Sequence, residues 1–230
     1  MPVRIVRLLP GRAGGVGLAF ADMERRGWVT SAEERNRVEA DLSGMAGHGL
    51  AGVRYVGMSD EGAPTWDVGT FHSIDYGLEI ELEDRTTWSI AWDQAGHNEA
   101  ILVYAGTLSS QFSPDAEVAV WDVTSVWRQR FPEGFTEVEC VWTRHVYGPA
   151  YTGVRWEIRV DDGGVSDLCL LSLVLTGARG GQAVVTLGGE DHDAAGRFAA
   201  FHDNVAVFFS LEEARRVGVL LPGDPDATVR

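Results

Sequence analysis

Lysine is absent from this chain of 230 residues: all 19 of its basic residues are arginine. Without a lysine there is no Schiff-base amine, no phosphate-binding Walker lysine and no Ser-x-x-Lys nucleophile pair. Pyridoxal-phosphate enzymes, P-loop NTPases and relatives of the serine β-lactamases are thereby excluded. Cysteine is almost as scarce. Cys140 and Cys169 do not make a secreted disulfide framework, and each sits in an apolar stretch that marks a buried small hydrophobe. No run approaches the roughly 18 apolar residues needed to cross a bilayer. The opening MPVRIVRLLPGRAGG is too short and too Arg-interrupted in its apolar part to act as a signal peptide. A cytoplasmic protein with no membrane segment is expected.

Positive charge is also in short supply. The 34 acidic residues outnumber the 19 arginines and leave a formal charge of −15. Affinity for a phosphate backbone comes from clustered cations, so no nucleic-acid partner is expected. The densest arginine group, Arg25, Arg26, Arg35 and Arg37, is interleaved with Glu24, Glu33 and Glu34. The complementary partner of such a chain is a basic protein, since opposite fields steer encounter. No cofactor is expected either. The glycine-rich GRAGGVG after Pro10 is spaced G-x-x-G-G-x-G, which departs from the dinucleotide fingerprint G-x-G-x-x-G and reads as a loop.

What is present is strand and turn chemistry: eight tryptophans, 28 glycines and long stretches of period-two alternation. In YGLEIELEDRTTWSIAWD, Tyr76, Leu78, Ile80 and Leu82 alternate with Gly77, Glu79, Glu81 and Glu83, and Trp88, Ile90 and Trp92 continue the pattern. That is the mark of antiparallel strands with one buried face and one wet face. Glu79, Glu81 and Glu83 are expected to form a solvated row, serving as edge protection or as a binding surface for the basic partner. Keeping Leu82 opposite Trp88 requires a loop with an odd number of residues, three (84–86) or five (83–87). The absence of glycine favours five.

Further strands are expected at residues 3–9, through Val53 and Tyr55, at 138–142, 154–160, 182–187 and 204–209. The continuous apolar run at 168–175 predicts a central strand covered on both faces. Ser31 with Glu34 and Ser210 with Glu213 are capping boxes that predict two short helices, the first over 32–44 and the second stopped by Gly218. Between them, 117–120 reads as a strand and Asp122 as the cap of a third helix ended by Pro132. The expected fold is α+β, mainly antiparallel β meander and hairpins with a few short helices. Three segments are expected: an N-terminal strand, loop and helix (1–52), a first sheet unit (53–113) and a second sheet unit with a C-terminal helix (114–230), either as separate units or around one shared core. LEIELED and WEIRVDD echo one another as amphipathic strands that run into acidic turns.

Two sets of residues stand out beyond the carboxylate row. Trp66, in the turn-rich EGAPTWDVGTF, is the aromatic expected to be exposed and available for binding. GGEDHDAAGRFAAFHD gathers Glu190, His192, Asp193 and His202 in one connection, where imidazole and carboxylate could hold a divalent metal for hydrolysis or ligand binding. Their spacing matches neither H-E-x-x-H nor an EF-hand loop, so a hydrophilic connection is the competing expectation. The segments YGLEIELEDRTTWSIAWD and DNVAVFFSLEEARRVGV resemble parts of uncharacterised actinobacterial β-rich proteins, some of them similar to bacterial immunity proteins of toxin systems. That resemblance implies a non-enzymatic, protein-binding role and carries no functional residue with it.

Overall fold

The alternating stretches fold as antiparallel strands. The computed structural model describes residues 28–29, 31–58, 66–95, 98–113, 116–144, 168–191 and 193–224. Their order is β1 (Trp28–Val29), α1 (Ala32–Ser43), β2 (Leu50–Met58), β3 (His72–Ile74), β4 (Gly77–Leu82), β5 (Thr87–Ala95) and β6 (Asn98–Ala105). A short 3-10 helix (Leu108–Gln111) precedes β7 (Val118–Asp122), α2 (Thr124–Arg130), β8 (Phe135–Arg144), β9 (Leu168–Gly177), β10 (Gln182–Glu190), β11 (Phe198–Phe208) and α3 (Leu211–Arg216). The described chain is thus mostly antiparallel β-sheet with three short α-helices. The strands expected at 3–9 and 154–160, with Trp156 and the WEIRVDD echo, lie outside the described residues, as does GRAGGVG. Among the described residues no helix is long and apolar enough to cross a membrane.

Two sheets carry the fold. The first runs β6-β5-β4-β2-β7; the second runs β1-β9-β10-β11-β3, with β8 also paired to β9. Neither sheet ends at residue 113: β3 leaves the early strands to pair with β11, and β7 returns to pair with β2. The facing sides share the largest apolar core, in which Leu78, Ile80 and Ile101 of the first sheet join Leu173, Val185 and Val205 of the second. β9 is buried on both faces along nearly its whole length, as its unbroken apolar run requires. Both serines cap their helices as the pattern predicts. Ser31 Oγ accepts from the Glu34 N–H at 3.1 Å, and Ser210 Oγ from the Glu213 N–H at 3.3 Å. Asp122 Oδ1 accepts from the Thr124 N–H at 2.9 Å at the start of α2, whose Trp127 is fully buried.

The first hairpin corrects its expected register. Ile80, not Leu82, stands opposite Trp88, and the Leu82 N–H donates to the Thr86 carbonyl at 2.9 Å. The loop therefore holds three residues, 83–85. Its number is odd, as the alternation demands, but the pairing sits two residues away from the five-residue form. The left-handed position that such a loop needs falls on Arg85, with φ of 75°, rather than on a glycine.

A second correction concerns the outer face of that sheet. Glu79 is fully buried, not solvated. Its carboxylate pairs with Arg54 at 2.8 Å and accepts the Ser109 N–H at 2.7 Å. Alternation shows only that two faces differ in polarity; here the second face is roofed by the 3-10 helix and by an apolar cluster containing Leu102, Tyr104, Leu108 and Val118. Arg54, Glu79, Ser89 and Tyr104 are successive partners across β2, β4, β5 and β6, a polar rung beneath that roof. Glu81 is partly exposed and Glu83 exposed, so the expected row of three carboxylates is reduced to two. The outer face of the second sheet is covered by α3 and the segment after it, through Phe71, Phe198, Phe208, Ala214 and Leu221.

Candidate functional site

β3 is three residues long and lies at the edge of the second sheet, where alternation turns His72 and Ile74 toward the core and Phe71 and Ser73 away from it. A tight loop delivers it: Asp67 bridges to His72, and Asp67 Oδ1 accepts the Gly69 N–H at 2.9 Å. The His72 ring lies against Tyr55 of β2, Trp66 and Phe209, with centroids 5.5, 4.7 and 5.3 Å away.

A directed hydrogen-bond chain holds this imidazole. Trp127 Nε1–H donates to Tyr55 Oη at 3.0 Å, and Tyr55 Oη lies 2.8 Å from His72 Nδ1. Indole nitrogen can only donate. Burial pushes the Tyr55 phenol far above its ordinary value, so it keeps its proton and donates it onward. Nδ1 is then the acceptor, and the neutral ring carries its proton on Nε2, which makes no hydrogen bond to a described residue. Burial also lowers the His72 pKa below 6.5, partly opposed by the Asp67 carboxylate. The neutral form that the chain requires is the form that burial favours.

Above this ring opens a cleft of about 550 Å³ bounded by the 69–72 loop, α2 and the start of α3. Its half-buried inner wall is His72, Val126, Phe209, Ser210 and Glu213; its exposed rim carries Arg130, Glu212 and Arg216. The Arg130 guanidinium lies over the Phe209 ring, 5.5 Å from its centroid. Trp127 backs the same ring edge-on at 5.3 Å. Among the described residues, none of Arg130, Arg216, Glu212 and Glu213 forms an ion pair. Glu212 and Glu213 stand four and three residues before Arg216, a spacing at which helix pairs ordinarily meet.

The expected site residues lie elsewhere or play other parts. Trp66 is partly buried against the core, edge-on to Tyr55 at 5.3 Å, instead of exposed. It supports the cleft from behind His72. Glu190 Oε1 accepts the Gly196 N–H at 2.6 Å, and the exposed Asp193 gives its N–H to Asp191 Oδ1 at 2.9 Å; both belong to the turn joining β10 to β11. His192 and the His202 side chain lie outside the described residues, and among those described no three His, Cys, Asp or Glu gather as metal ligands. Sequence reasoning missed His72, Arg130, Phe209 and Arg216. The one available signal was a histidine in phase with Ile74 on an apolar strand, which marks a polar group turned into the interior. No family model, curated protein or solved structure matches the chain.

Proposed function

We propose that this protein binds a small molecule in the cleft over Phe209. The observation that supports this reading is the convergence on an aromatic wall of charged side chains that have no ion-pair partner among the described residues, backed by the Trp127–Tyr55–His72 chain. Ligand sites combine such an apolar surface with a few convergent polar groups. The proposed role is binding rather than chemistry, because His72 gives its Nδ1 lone pair to Tyr55 and offers Nε2 as a donor instead of a base. A fragment screen read by thermal shift and tryptophan fluorescence tests it, with Val126→Trp as a variant whose larger ring fills the cleft. Hits should lose binding in Val126→Trp. Hits that persist there, or a folded protein that binds no fragment, would overturn the proposal.

The reading as an acidic protein-binding module, an immunity or inhibitor protein for a basic partner, rests on the formal charge of −15 and on Glu81 and Glu83. Its test is capture of a basic protein at low salt that is lost at high salt, and lost also on Glu81→Gln with Glu83→Gln. Full association by the double variant would remove this face as a site.

A further inference from the structure

The charges around the cleft come in both signs. Arg130, Arg216 and Glu212 are exposed at the rim, where two cations outnumber one carboxylate, whereas Glu213 is half-buried in the inner wall. The Glu213 backbone N–H caps α3 through Ser210 Oγ, but its carboxylate has no hydrogen-bond or ion-pair partner among the described residues. Arg130 is held against the Phe209 face, so its guanidinium is positioned before any ligand arrives. His72 and Arg130 both touch the Phe209 ring, which places a neutral N–H donor and a cation within one small-molecule length of each other.

From this arrangement we infer that the ligand is a small amphoteric molecule of the amino-acid type with an aromatic body: its acid group faces the rim arginines, its ammonium faces Glu213, and its ring lies on Phe209. The inference rests on the cleft being a ligand site. Guanidinium binds carboxylate through paired donors, and a carboxylate in the inner wall needs a cationic donor once solvent is displaced. A simple anion leaves Glu213 facing like charge; a simple cation leaves the two arginines unanswered. A ligand carrying both groups satisfies both, and the aromatic wall accounts for the rest of its surface.

Three probes of matched shape separate these terms: L-phenylalanine, 3-phenylpropionate (no amine) and phenylalanine methyl ester (no carboxylate). Binding is measured by calorimetry and by chemical-shift titration of the full chain. L-Phenylalanine should bind at least about tenfold tighter than either analogue, the loss expected when a charged hydrogen bond is removed. Glu213→Gln, which leaves the backbone cap intact, should erase the preference over 3-phenylpropionate alone. Arg216→Gln should erase the preference over the ester alone. Equal binding of an analogue, or binding of unrelated fragments with no binding of these three, overturns the amphoteric class while the cleft stands. If nothing binds to the cleft at millimolar concentration, the ligand-site reading fails with it.

Discussion

Tyr55 Oη and His72 Nδ1, 2.8 Å apart, join strands of opposite sheets, β2 and β3. Tyr55→Phe keeps the ring and removes both hydrogen bonds of the hydroxyl. The buried Trp127 N–H is then left without its acceptor, at a cost of about 1–3 kcal/mol. Urea denaturation should show a lower midpoint with an unchanged slope, and a variant as stable as the parent would contradict the assigned chain.

Protonation of His72 should destabilise the fold. Its folded pKa lies below the ordinary 6.5 because burial penalises the imidazolium. Between the two values the unfolded chain binds more protons, so stability rises with pH. The contribution is present above about 6.5, is lost as pH falls toward the folded value, and does not change further below it. His72→Gln should show a flatter stability profile across that window. Parallel profiles from chemical denaturation of the two proteins would refute the assignment.

Glu79→Ala should be far more damaging than Glu83→Ala. It strips Arg54 of its 2.8 Å partner and leaves the Ser109 N–H without its acceptor beneath the roof. Arg54 is 39% exposed and can recover water, so the loss is set at about 2–3 kcal/mol, below the range for a fully buried pair. Glu83→Ala, at an exposed position, should stay within about 0.5 kcal/mol. Hydrogen exchange supplies a second measure: amides of the 3-10 helix should lose protection in the first variant and keep it in the second.

Gly134→Ala should cost about 2–4 kcal/mol. This residue has φ of 77°, and an added Cβ would run into the His48 carbonyl, a backbone atom that cannot swing aside. Thermal unfolding of the variant measures the loss. Gly180→Ala makes the control, since Gly180 has the same φ with nothing near its missing Cβ; its smaller loss isolates the contact from the backbone strain.

What could be read from the sequence was local. Ser31 and Ser210 each carry their cap partner three residues on, and the 168–175 run states its own burial. The failures have in common a cause at long range. Glu79 looked solvated because its cover comes from the 3-10 helix and from Phe112 and Ala116, and no pattern within β4 reports that. Arg85 took the left-handed turn position because the loop geometry required one there, whatever side chain stood in it. The cleft assembles the 69–72 loop, the 126–130 stretch of α2 and the 209–216 segment. None carries a site motif of its own, and only the exchange of β3 from the early strands into the second sheet brings them together.

That exchange also sets an order of events for a chain made one residue at a time. The first sheet lacks β7 until residue 122 has emerged, whereas β3, already made at residues 72–74, has no partner until β11 follows at 198–208. At ordinary translation rates the interval is on the order of ten seconds. Throughout it, His72 and Phe71 wait without the strand that fixes them, and the Phe209 that closes the cleft arrives only after β11. Ribosome-bound chains truncated before residue 198 lack β11, Phe209 and α3 and should therefore be unable to bind any ligand of the cleft.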